Sequence, residues 1–186
     1  MKRKIVTKVE LNKEIYKEFF TSYINSSKLS NALLTIMILF LYMDIYNKNY
    51  FLSITYSILT IIFILVLPII KIFLQYHNIL EINGGNIPCY QYVFDSEKIT
   101  YSNNMKKSSN ITYNYNQINL VLESKNLYIF NLNNNENVIS LKKDITDEDL
   151  NYILSKCNNK KVRQTNLYLC FRLLCLLLAI ISLFLI

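Results

Sequence analysis

Apolar and polar positions divide the chain into blocks that differ in period. Two continuous apolar runs, SNALLTIMILFLYMDIY (Ser30 to Tyr46) and YFLSITYSILTIIFILVLPIIKIF (Tyr50 to Phe73), are separated only by Asn47, Lys48 and Asn49. Each supplies roughly 17 to 22 membrane-compatible residues, enough at about 1.5 Å per residue to span a hydrocarbon core of about 30 Å. They predict an antiparallel transmembrane helical hairpin over residues 29–76, with Tyr42, Tyr46 and Tyr50 at its tip and Tyr76 beyond its other end as interfacial anchors. The last run, LYLCFRLLCLLLAIISLFLI, predicts a third transmembrane helix over residues 166–186. Its one charge, Arg172, lies about one turn in from a basic leading edge and is read as snorkelling to the interface.

Residues 78–160 change to a period of two. Alternation is visible at Tyr90, Tyr92 and Phe94, at Ile99 and Tyr101, at Ile111, Tyr113 and Tyr115, at Ile118, Leu120 and Leu122, at Leu127 and Ile129, and over Val138 to Leu141. Breaks fall at Asp95–Ser96, Asn103–Ser109, Ser124–Asn126 and Asn133–Asn137, residue types that favour turns. Six short strands are expected. The period then becomes helical in DITDEDLNYILSKC, with Thr146 as N-cap, acidic residues in the first turn, and Leu150, Ile153 and Leu154 on one face. A meander of strands closed by one helix is the order of a pleckstrin-homology-like (PH-like) barrel. At the other end, residues 1–28 read as a strand (RKIVTKVEL) that adds an edge to this domain, followed by an interfacial amphipathic helix (NKEIYKEFFTSYI). The expected fold is thus an α+β membrane protein: a helical hairpin, a PH-like β domain closed by a helix, and a C-terminal span.

Composition agrees with this division. The chain is 52% hydrophobic and contains two glycines and two prolines among 186 residues. Net charge is +7, and the excess is concentrated at Lys2, Arg3, Lys4, Lys8, Lys13, Lys17 and Lys28, facing only Glu10, Glu14 and Glu18. From Lys71 to Arg163 the chain is nearly balanced, with eleven basic and nine acidic residues. This suits a bilayer surface, and the lack of an arginine-rich stripe with interleaved aromatics excludes nucleic acid as the expected partner. The basic flanks, including Lys71 and the Lys160, Lys161, Arg163 cluster, outweigh Lys48 at the tip, so the N-terminus and the β domain are expected in the cytoplasm.

Candidate chemistry is sparse. Cys89, Cys157, Cys170 and Cys175 have no CxxC spacing and His77 is the single histidine, so neither a zinc site nor a thioredoxin-type motif is expected. Asp44 is the one acidic residue of the first span, read as interfacial because it lies near the tip, and Pro68 is expected to loosen the last turn of the second span. The glycines of INGGN read as a tight turn, and the acidic run at Asp144, Asp147, Glu148 and Asp149 as a helix N-terminus in place of a cation site. No phosphate loop, HExxH or nucleophile–base pair occurs, so catalytic, cofactor-binding and metal residues are all expected to be none.

The segments LNKEIYKEFF and YQYVFDSEKITYSNN through DITDEDL, flanking a two-span hairpin, resemble the YcxB-like family of small bacterial membrane proteins. The resemblance covers about Leu11 to Cys157 and implies a hairpin followed by a PH-like domain, with no catalytic residue. Two features depart from it: Tyr113-Asn114-Tyr115 stands where family members often carry Trp, and the chain continues into Leu167–Ile186. The function expected is a non-enzymatic bacterial inner-membrane protein whose cytoplasmic domain binds a protein partner, another copy of itself, or the bilayer surface. Self-protection against a bacteriocin or toxin is the alternative.

Overall fold

The computed structural model describes residues 4–103, 111–134, 136–157 and 162–185. Lys2, Arg3, Lys160, Lys161 and most of the expected 103–109 turn therefore lie outside the described residues. The chain forms two compact units, one from Met1–Phe19 with Tyr76–Gln164 and the other from Phe20–Gln75 with Thr165–Ile186.

The first unit is mixed α and β. Strand β1 (Ile5–Glu10) pairs antiparallel with β2 (Cys89–Phe94), with Ile5 opposite Phe94 and Glu10 opposite Cys89. β3 (Lys98–Asn103) and β4 (Ile111–Asn114) complete a sheet in the order β1-β2-β3-β4. The second sheet, ordered β7-β6-β5-β8, contains β5 (Ile118–Glu123), β6 (Leu127–Leu132), β7 (Asn137–Leu141) and β8 (Val162–Gln164). β8 runs parallel to β5, a strand that three residues after a charged cluster do not announce.

Alternation places Phe94 and Ile99 of the first sheet and Val121, Phe130 and Val138 of the second in one core, all with no residual exposure. The Phe94 and Phe130 rings meet across it at 5.4 Å. Helix α5 (Asp147–Lys156) closes the core through Ile153 and Leu154. Thr146 caps it as expected: its hydroxyl accepts from the Asp149 amide, and the Asp149 carboxylate accepts from the Thr146 amide. β1 also reaches the second sheet, where Thr7 and Ser140 share a buried hydroxyl hydrogen bond of 3.2 Å.

Helix α1 (Lys13–Ser26) starts at Asn12, whose side chain accepts from the Ile15 amide at 2.9 Å. Ser27 then caps α2 (Lys28–Tyr46). After the tip come α3 (Tyr50–Ile61), a π-helical turn at Ile62–Val66, and α4 (Leu67–Ile82), which together make one helix of 33 residues. The perturbation falls one turn before Pro68, because the ring excludes the Ile64 carbonyl from its usual donor. The helix continues well beyond Pro68, which therefore does not sit in a last turn. It stops at Gly84 (φ 62°) and Gly85 (φ 81°), whose amides close on the carbonyls of Glu81 and Leu80. The INGGN glycines are thus a helix cap.

In the second unit α2 and α3 pack together and α6 (Asn166–Leu185) lies against both. Ser53, Ser57 and Thr60 on α3 are fully buried, as is Ala179 on α6, with Cys175 and Ser182 nearly so. Spacings of four and three residues put each trio on one helix face, so small side chains bring the backbones close. The Ser57 and Ser182 hydroxyls bond at 2.6 Å. The outward faces are apolar, with Leu39, Phe40, Leu59, Leu174 and Leu177 exposed. Lys28–Tyr46, Tyr50–Ile82 and Asn166–Phe184 are long and apolar enough to cross a membrane, consistent with a multi-pass membrane protein.

Candidate functional site

In the β unit the end of β1, the β5–β6 turn and the residues after β7 enclose an open cleft of about 690 Å³. Lys8, Lys125, Lys142 and Lys143 contribute cations to its lining, with Glu10 and Asp144 as the acids. Lys142 is committed to Glu123 at 2.6 Å and lies over the Tyr128 ring at 5.4 Å. Lys8 stands 3.8 Å from Glu10, and its amide donates to Asp144 at 3.5 Å. Lys8, Lys125 and Lys143 are exposed, and Lys142 is half-buried.

One wall of this cleft is fixed by Glu18. Its carboxylate accepts from the Ser124 hydroxyl at 2.6 Å, the Asn126 amide at 2.6 Å and the Asn126 side chain at 2.9 Å. Burial pushes the Glu18 carboxyl up, but these hydrogen bonds, aided by Lys125, hold it below its ordinary value. The second turn of α1 is thereby fastened to the β5–β6 turn. Sequence reasoning gave Glu18 no role beyond offsetting charge, since no local pattern links it to a turn more than a hundred residues away.

A second cleft, of about 390 Å³, is rich in tyrosine: Tyr16, Tyr90, Tyr92, Tyr101 and Tyr113 line it. Burial raises the pKa of each, that of Tyr16 to about 12, so all stay neutral at physiological pH. Tyr16 comes from α1, and the other four continue the rows of Phe94 on β2, Ile99 on β3 and Ile111 on β4, which is why the alternation counted them as core. They offer hydroxyl and ring contacts, but no activated nucleophile.

The other singled-out residues are scattered. Asp44 is half-buried near the hairpin tip, where its backbone carbonyl accepts from the Asn49 amide at 2.8 Å. His77 is exposed on α4. Asp147, Glu148 and Asp149 occupy the first turn of α5, as their spacing implied. Among the described residues no three His, Cys, Asp or Glu side chains gather as a metal site requires. Arg172 does not snorkel. It is 3% exposed and held inside the helical unit by Ser30, Asn31 and the Ile24 carbonyl.

Protein-family models, curated proteins and solved structures give no match to the chain. A functional reading therefore rests on the two clefts and the buried arginine.

Proposed function

We propose that this chain is a non-enzymatic inner-membrane protein that presents a PH-like domain of the YcxB type in the cytoplasm, where its lysine-rimmed cleft binds an acidic segment of a protein partner. The cleft carries the reading. It is concave, so it fits a peptide better than a flat bilayer, and one of its lysines, Lys142, is held by Glu123 while Lys8, Lys125 and Lys143 are exposed. Paired charges define a register, and outward ones attract the partner. The PH-like description is supported by two four-stranded sheets closed by one helix, and the cytoplasmic placement by Lys28 and Lys71 on the flanks against Lys48 at the tip.

Two experiments test it. In a cysteine-free background, a membrane-impermeant maleimide on intact cells should label Asn47→Cys and spare Asn134→Cys; labelling of Asn134→Cys would reverse the orientation. A photo-crosslinker at Lys143 should join one protein species in cells, and Lys125→Glu should abolish that adduct. Crosslinks to lipid alone would assign the cleft to the bilayer surface.

A further inference from the structure

The helical unit contains a second cavity of about 370 Å³ whose lining includes Arg172, Lys71, Ser30 and the apolar Leu29, Leu33 and Leu67. Its chemistry is one-sided. Arg172 uses Nη2 on the Ser30 hydroxyl and on the Ile24 carbonyl (3.4 Å), and Nε on the Asn31 side-chain oxygen (3.4 Å). Every acceptor is neutral, and Asn31 is oriented for this by donating its own amide to the Asn25 carbonyl at 2.8 Å. Among the described residues no carboxylate pairs with Arg172, and its Nη1 makes no hydrogen bond. A buried guanidinium has five donors and a large desolvation penalty, which neutral acceptors offset only in part. The two Nη1 donors can take an anion.

The depth and walls indicate which kind. Tyr50 to Lys71 spans about 31 Å at 1.5 Å per residue, one hydrocarbon thickness, so Lys71 stands at an interface. Arg172 is about 9 Å along α6 from Asn166 by the same rise, a depth just inside the headgroup region. Leu29, Leu33 and Leu67 line the cavity and are also exposed on the outer, apolar surface, so it opens toward acyl chains. The π-helical turn at Ile62–Val66 supplies Phe63 to the lining, and Pro68 completes that wall, so the helix is perturbed where the cavity lies.

We propose that this cavity binds the phosphate of an anionic lipid headgroup, with Arg172 and Lys71 as its cationic partners and the acyl chains along Leu29, Leu33 and Leu67. The two Nη1 donors of the guanidinium can reach a phosphate oxygen, and Lys71 adds a second point charge. The proposal rests on the helices lying in a bilayer, and is independent of what the lysine-rimmed cleft binds.

The test uses the full chain purified in detergent, with native mass spectrometry against phosphatidylglycerol, phosphatidylcholine and inorganic phosphate. One phosphatidylglycerol should be retained in preference to phosphatidylcholine, and millimolar phosphate should not displace it. Arg172→Gln should weaken retention at least tenfold, and Leu33→Trp, which fills the cavity, by a similar factor. Lys71→Gln should weaken it about threefold and, because Lys71 is exposed, decides the matter if Arg172→Gln fails to fold. Equal retention of both lipids, full displacement by phosphate, or unchanged binding in Lys71→Gln and Leu33→Trp would overturn the proposal. Crosslinking from Lys143 is unaffected by these substitutions, so the two readings fail separately.

Discussion

Glu18 shows how one side chain can hold a structure that its sequence neighbourhood does not describe. Its hydrogen bonds to Ser124 and Asn126 favour the charged form, so its folded pKa lies below the unfolded value. A depressed carboxylate contributes stability that is present above the unfolded pKa and lost as pH falls through the folded one. Hydrogen-exchange protection of the Asn126 amide should therefore be full at neutral pH and fall in the acid range below the ordinary value of 4.5. Glu18→Gln should remove that dependence and cost about 1.5–3 kcal/mol, the range for hydrogen bonds to a charged group. Gly85 makes a simpler case. A Cβ there would meet nothing within 4 Å, so Gly85→Ala is opposed by its positive φ alone. It should lower stability by about 1–2 kcal/mol in thermal unfolding. The glycine pair was visible in the sequence, but its role depended on where the preceding helix stopped. Arg172 was equally visible and was read for the wrong partner, because hydropathy identifies a charge in an apolar run without saying which neighbours approach it.

Elements with strong local periods were the most legible. All six strands expected between Tyr90 and Leu141 are present, but not every face. Val121, Tyr128 and Phe130 join the main core, whereas Leu122, Leu127 and Ile129, in the rows that the alternation picks out, are buried outside it because β5 and β6 have apolar residues on both faces. β8 was not legible, since three residues cannot show a period and its pairing with β5 is decided at long range. The α3–α6 seam could have been read: Ser53, Ser57 and Thr60, and Cys175, Ala179 and Ser182, recur at helical spacing among large apolar residues. In lipid, where apolar bulk gives helices no preference for one another, such small positions decide which faces meet. Ala179→Leu should therefore open the seam, costing about 1–3 kcal/mol by overpacking, as an earlier midpoint in detergent-titration unfolding would show. Ser57→Cys with Ser182→Cys, in a background free of other cysteines, should form a disulfide on mild oxidation, since the native hydroxyls are 2.6 Å apart.

At the scale of the whole molecule, the β unit is assembled from two stretches of chain that the hairpin separates. Ile5, Val9 and Leu11 are buried at 6%, 0% and 4% exposure, although they precede β2 by some eighty residues. Truncating residues 1–11 should remove about 1.5–3 kcal/mol for each of these side chains and bare the edge of β2. Limited proteolysis should then cleave within residues 89–141 under conditions that spare the full chain. The pairing of β1 with β2 also constrains how the protein is made. With the spans in a bilayer, these strands can meet only if the segment between them crosses an even number of times. A ribosome that has delivered one helix of the hairpin and left the second outside would strand the partners on opposite faces, and the first sheet could not close. With the spans in a bilayer, completion of that sheet thus acts as a checksum on insertion: a misthreaded chain leaves the edge of β2 unpaired and open to proteases.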